Sequence, residues 1–171
     1  DPSNKVYTNY DDDGKVVIGK SDIESDVHDI LVFVSRDIER FTIPSFVTNI
    51  NSNAFNDSLI QSIIIPPKVK FIGNGAFSCC DFLKKIEFDP DSELQVIGKE
   101  AFNCCPIGSF IIPRNVTSIE EGIFADCKYF QIIEIEDNSK LSLDELYNAL
   151  NFGVPIHVFI QIPVNLRNNL T

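Results

Sequence analysis

The string Phe41-Thr42-Ile43-Pro44 returns as Ile63-Ile64-Ile65-Pro66 and again as Phe110-Ile111-Ile112-Pro113. Downstream comes a second recurring pattern that ends in Phe55, Phe77, Phe102 and Phe124, spaced 22, 25 and 22 residues apart. A period in this range is the mark of a solenoid, whose coils each leave an apolar face for the next coil to cover. A stack of repeated strands also presents a broad surface of the kind that binds other macromolecules.

Five segments share the form apolar-xx-apolar-x-apolar: Ile38 to Ile43, Ile60 to Ile65, Leu83 to Phe88, Ile107 to Ile112 and Phe130 to Ile135. The alternation at their ends predicts short strands with one buried face. Pro44, Pro66 and Pro113 then end three of them, because proline cannot continue a hydrogen-bond ladder. The second halves read Val47-xx-Ile50-xxx-Ala54-Phe55, Val69-xx-Ile72-xxx-Ala76-Phe77 and Val116-xx-Ile119-xxx-Ile123-Phe124, with Val96 and Ile97 ahead of Ala101-Phe102. Apolar residues three and four apart predict a short helical turn in each coil. Asp89-Pro90-Asp91-Ser92-Glu93 is a polar turn that absorbs the extra residues of the longer copy.

The run from Ile65 to Phe88, with its Ile-Pro, Ala-Phe, Cys-Cys and Leu-xx-Ile positions, resembles a BspA-type leucine-rich repeat, a family of surface proteins of bacteria and protozoan parasites. The likeness extends from Ile38 to Ile135. It implies an α/β solenoid, a right-handed superhelix with short strands on the concave face and short helical turns on the other side. The repeats themselves give about five coils. The resemblance further implies adhesion to host or matrix components at the cell surface.

Three segments follow. Residues 1–36 form an N-terminal cap, in which Asp11-Asp12-Asp13-Gly14 turns a hairpin and Leu31 to Val34 adds a strand. Residues 37–136 hold the repeats. Residues 137–171 form a C-terminal cap, where Ser142-Leu143-Asp144-Glu145 reads as a capping box opening a short helix. That helix stops at Gly153, and Ile156 to Ile162 adds a strand.

The net charge is −11, with the acid excess shared between residues 1–40 and 41–136. Nucleic acid is thereby disfavoured as a partner, since phosphate binding needs a basic stripe. No run approaches a transmembrane span, so no direct membrane insertion is expected of this segment. There is no Met, even at position 1. The chain therefore reads as a mature or excised piece, and missing leader or anchor segments carry no weight.

Five cysteines, an odd number, argue against a disulfide framework. Cys80, Cys105 and Cys127 fall in one slot of successive coils and read as small buried hydrophobes. Adjacent pairs such as Cys79-Cys80 and Cys104-Cys105 point in different directions, so a zinc site is not expected. Asn9-x-Asp11-x-Asp13-Gly14 matches half of a calcium loop, but the position that needs a bidentate Glu is Lys20. The turn therefore reads as a solvated hairpin, with no metal and no cofactor. His28 and His157 stand near opposite ends of the chain, far from the mid-array thiols. A small hydrolase, which needs Cys and His in contact, is thus a distant alternative.

The candidate working surface is the outward side of the strands. One column is Thr42, Ile64, Glu87, Ile111 and Glu134; its neighbour is Arg40, Ser62, Lys85, Ser109 and Ile132. At about 4.8 Å per strand the columns would span about 20 Å. Apolar residues rimmed by charge mark interaction sites, although isolated surface Ile also suits any strand. Asn56, Asn115 and Asn169 fit the glycosylation acceptor pattern. The expected function is a non-catalytic protein-interaction module at the cell surface or outside the cell, binding another protein or a matrix component. An intracellular scaffold of the same fold, suited to unpaired cysteines, is the alternative.

Overall fold

The computed structural model describes residues 7–10, 13–22, 24, 26–150, 153–154 and 157–163. The chain enters through β1 (Tyr7–Asn9), β2 (Val16–Gly19) and β3 (Ile30–Val34), paired antiparallel in sequence order. Each later coil lays down two strands. These are β4 (Asn49–Ile50) with β5 (Ser62–Ile65), β6 (Phe71–Ile72) with β7 (Lys85–Phe88), β8 (Val96–Ile97) with β9 (Ser109–Ile112), and β10 (Ser118–Ile119) with β11 (Ile132–Ile135). Helix α1 (Leu143–Leu150) and β12 (Phe159–Gln161) close the series. Counted from β3, the chain makes six turns, one more than the repeats suggest. The short strands β4, β6, β8 and β10 continue the entry meander as one seven-stranded sheet, parallel from β3 onward.

The Phe period puts one ring in the same slot of successive coils. Phe55, Phe77, Phe102 and Phe124 are fully buried. Their rings stack, with centroids 4.7, 5.4 and 6.1 Å apart along the column. Val34 holds the slot in the first coil, for its N–H donates to Ala54 O as the Phe55 N–H donates to Ala76 O. Leu94 and Leu141 are buried and complete the column of Val47, Val69 and Val116. Each of those valines donates its N–H to the carbonyl of the proline three residues earlier, so the proline that ends a strand also opens the turn behind it. Coils approach closely here: a Cβ on Gly73 would lie 2.5 Å from Ser52 N.

The predicted helical turns are absent. The segments after β4, β6, β8 and β10 are runs of tight turns in which alternate N–H groups point in two directions. In the third coil Ala76, Ser78 and Cys80 donate to the carbonyl three residues back, while Gly75, Phe77 and Cys79 donate to Lys99, Ala101 and Asn103 of the next coil. A helix cannot form because the left-handed backbone region recurs twice per coil. It is occupied two residues before the Phe by Asn53, Gly75, Glu100 and Gly122, and two residues after it by Asp57, Cys79, Cys104 and Asp126. Residues three and four apart still share the inner face, which is why the spacing resembled a helix.

The one helix among the described residues is where the capping box predicts it. The Glu145 N–H donates to Ser142 Oγ at 3.2 Å, and the Ser142 N–H reaches back to Glu145 Oε2 at 3.4 Å. Beyond the helix, Gly153 is left-handed at φ 69°, and its carbonyl accepts the Asp126 N–H. Of the expected strand from Ile156 to Ile162, Phe159–Gln161 forms β12, His157, Val158 and Ile162 do not extend it, and Ile156 lies outside the described residues.

The open-face strands form two separate ladders. β5 pairs with β7, and β9 with β11 and then β12, all parallel, but β7 and β9 share no ladder. At this break Ile86 and Phe88, inward-facing on β7, are only half-buried, and Phe88 meets Phe110 edge-on at 5.4 Å in place of strand pairing. The segment from Ile38 to Ile43, predicted as the first strand, is not one. A cleft of about 420 Å³ separates Arg40, Phe41 and Thr42 from β5.

Candidate functional site

Strand alternation aims one set of side chains at the core and the other at solvent. On β5, β9 and β11 the inward residues are buried, and the outward ones form the predicted columns. Ile64 is 62% exposed, Ile111 49% and Ile132 43%. The register sets Ser62 beside Lys85 and Ile64 beside Glu87 on the first ladder. On the second it sets Ser109 beside Ile132 and Ile111 beside Glu134. The ten candidate residues are therefore split three ways. Four lie on β5–β7, four on β9–β11, and Arg40 and Thr42 stand across the cleft from Ser62 and Ile64.

The two plates differ in character. On the first, Lys85 Nζ and Glu87 Oε1 pair at 2.8 Å along one strand, leaving Ile64 as the lone large apolar group. The second is more apolar than the sequence suggested, because β12 extends it. Phe159 sits in register beside Ile132 and is 76% exposed, and Gln161 sits beside Glu134, itself half-buried. Ile111, Ile132 and Phe159 thus stand together, with Ser109, Glu134 and Gln161 around them. Phe159 and Gln161 were missed as site residues. Extending the strand register by one rung, from Ile132-x-Glu134 to Phe159-x-Gln161, is the signal that finds them.

The cysteines carry structure. Cys80, Cys105 and Cys127 are buried, and each Sγ donates to the preceding coil's Phe carbonyl (Phe55, Phe77 and Phe102) at 3.0 Å. Each of those carbonyls also accepts the N–H of the Cys three residues on in its own coil, or of Ser58 in the case of Phe55. Burial pushes the Cys127 pKa up to about 12, and the adjacent Cys80 thiol, then burial, push Cys105 up further. Such thiols are not nucleophiles at neutral pH. All five are free, with Cys79 and Cys104 half-buried. Neither His28 nor His157 lines the pocket that holds Cys104 and Cys105.

Asn56 and Asn115 are half-buried, and both spend the nitrogen a glycan would take. Asn56 Nδ2 donates to Ser78 O at 3.2 Å and Asn115 Nδ2 to Ser92 O at 2.8 Å. Asn169 and the Asp11 of the calcium-like turn lie outside the described residues. Among the described residues no His, Cys, Asp and Glu converge in threes as a metal site would require.

Parallel rungs, a stacked inner column and outward columns in register define a leucine-rich-repeat solenoid. A family model of the BspA type leucine rich repeat region, in six copies, matches residues 30–149, and the chain belongs to that family. Among solved structures, it is similar to a leucine rich cell surface protein of Faecalibacterium prausnitzii A2-165, at 24% identity and a TM-score of 0.72 over 98% of this chain and 42% of that one. A leucine-rich repeat protein of Bacteroides ovatus ATCC 8483 matches at 31% identity and a TM-score of 0.55, over 66% of this chain and 30% of that one. The pneumococcal vaccine antigen PcpA matches at 17% identity and a TM-score of 0.56, over 77% of this chain and 51% of that one. The chain thus spans about half the length, or less, of these three proteins. A comparison with curated proteins finds no match.

Proposed function

We propose that the chain is a non-catalytic protein-binding module whose working surface is the outward face of β9, β11 and β12, with β5 and β7 as a second plate. The observation that carries this reading is the cluster of Ile111, Ile132 and Phe159, exposed together in strand register. A few apolar and aromatic anchors ringed by polar groups are where binding energy concentrates. The partner is another protein or a matrix or cell-surface component. A net charge of −11 weighs against nucleic acid. Location at the cell surface or outside the cell is supported by the family and by the similarity to the Faecalibacterium leucine rich cell surface protein. The intracellular scaffold remains the second reading, favoured by five free thiols. No helix among the described residues is long and apolar enough to cross a membrane.

Labelling of intact and of permeabilised cells that express the full gene product separates the two locations. The surface itself is tested by binding to immobilised host and matrix proteins. Ile111→Glu and Phe159→Asp are expected to lose binding while folding normally, since neither side chain packs in the core. Equal binding by folded variants and wild type would move the site elsewhere.

A further inference from the structure

A second apolar stripe runs along the edge where the turns meet the open sheet. Leu59, Phe82, Pro106 and Tyr129 each directly precede the buried residue that leads into an open-face strand, so they recur once per coil. Phe82 is 51% exposed and Tyr129 67%. Lone exposed aromatics are ordinary, but one set in register over consecutive coils is a built feature. Between the last three of these coils the surface is hollowed into a pocket of about 480 Å³. Pro106 and Tyr129 wall it, Cys104 lies within it, and Asp81, Asp126 and Lys128 line it.

The pocket lining carries two carboxylates, Asp81 and Asp126, against one ammonium, Lys128. Neither Asp81 nor Asp126 is ion-paired among the described residues, whereas four other carboxylates pair with a Lys or Arg of an adjacent coil. Burial and then the Cys79 thiol raise the Cys104 pKa, and the charges of Asp126 and Asp81 raise it further. Both carboxylates therefore bear on one point inside the pocket. Asp126 is also held on fixed backbone, at φ 57° with its N–H on Gly153 O.

We propose that this pocket takes an arginine side chain from an extended segment of a protein partner, with the guanidinium over the Tyr129 ring and against the carboxylates of Asp81 and Asp126. Guanidinium suits both walls. It is planar, stacks on aromatic faces and is weakly hydrated, and its fork of donors fits carboxylates. This site is separate from the β9–β11–β12 surface and does not depend on it.

Backbone NMR of the folded chain titrated with a blocked Gly-Arg-Gly peptide tests the proposal, with lysine and citrulline counterparts alongside. The arginine peptide is expected to shift the amides of Asp81, Cys104, Asp126 and Tyr129 saturably. Binding should be several-fold weaker for lysine and at least about tenfold weaker for citrulline, which has the shape without the charge. The double variant Asp81→Asn with Asp126→Asn should lose the response; Asn tolerates the left-handed backbone at 126, so the fold is kept. Tyr129→Ala should weaken it, and Ile111→Glu should not change it. Equal responses to arginine, lysine and citrulline, shifts centred on Ile111 and Phe159, or an undiminished response in the folded double Asn variant would overturn the assignment.

Discussion

Removing one ring from the Phe column opens a cavity that the stacked neighbours above and below cannot fill. Phe77 is fully buried with Phe55 and Phe102 against its faces, so Phe77→Ala is expected to destabilise by about 3–5 kcal/mol. Urea unfolding measures this, and a loss under about 1 kcal/mol would contradict the assigned register. Glu100 offers the opposite case. It holds φ 54° in a slot that neighbouring coils fill with Gly75 and Gly122. A non-glycine residue there costs roughly 1–2 kcal/mol, and glycine restores about 0.5–1 of unfolded-state entropy. Glu100→Gly should therefore stabilise by up to about 1 kcal/mol in the same assay, and clear destabilisation would contradict the strain. The Phe column was legible because one residue type returns at a fixed interval. The left-handed positions were not, because Asn, Asp, Gly, Glu and Cys share them, and only the first three hint at that backbone.

At the scale of elements, the misreading was of period. Val69, Ile72 and Ala76 have helical spacing, but from Gly75 to Cys79 the backbone sends every second N–H to the next coil, and spacing alone cannot tell the two apart. The helix that does form was legible from its cap rather than from its periodicity. The start of the stack hangs on Asp29, whose carboxylate accepts from the Ser21 N–H and from the Ser21 and Thr48 hydroxyls at 2.7–2.8 Å. Burial alone would raise its pKa, yet these hydrogen bonds outweigh it and hold the pKa below 3.8. Stability from a lowered carboxylate pKa is present at neutral pH and is lost as pH falls through the folded value. Thermal melts between neutral and strongly acidic pH should show part of that loss missing in Asp29→Asn; identical acid limbs would dismiss the contribution. The break between β7 and β9 gives a further expectation. Amides of β7 and β9 should exchange with deuterium faster than those of β11, which is paired on both sides. Uniform protection across the three would mean a continuous ladder in solution.

Over the whole molecule, the coils are tied by the buried columns, by alternate backbone bonds and by exposed ion pairs between neighbours such as Arg114 with Glu136 and Lys99 with Glu121. Each surface pair contributes about 1 kcal/mol at most, so the buried columns and backbone bonds hold the stack and the charges tune its surface. The repeat made the solenoid readable at this scale, and alternation located the outward columns. The division of the open face into two plates was not legible in the repeat spacing, because arcs of eight and nine residues from the Phe slot to the middle of the next open-face strand alternate across paired and unpaired strands alike. The addition of Phe159 was hidden in a strand whose register no single repeat defines. The central claim is that binding occurs on the outward face of β9, β11 and β12. A photoreactive phenylalanine analogue placed at Ile111, with a control at Glu121 among the turns, tests it directly when the folded protein is illuminated on intact cells or matrix. The expected result is a discrete crosslinked partner from position 111, lost when Phe159→Asp is added, and none from position 121. Crosslinks of equal yield from both positions, or from the turns alone, would contradict the claim.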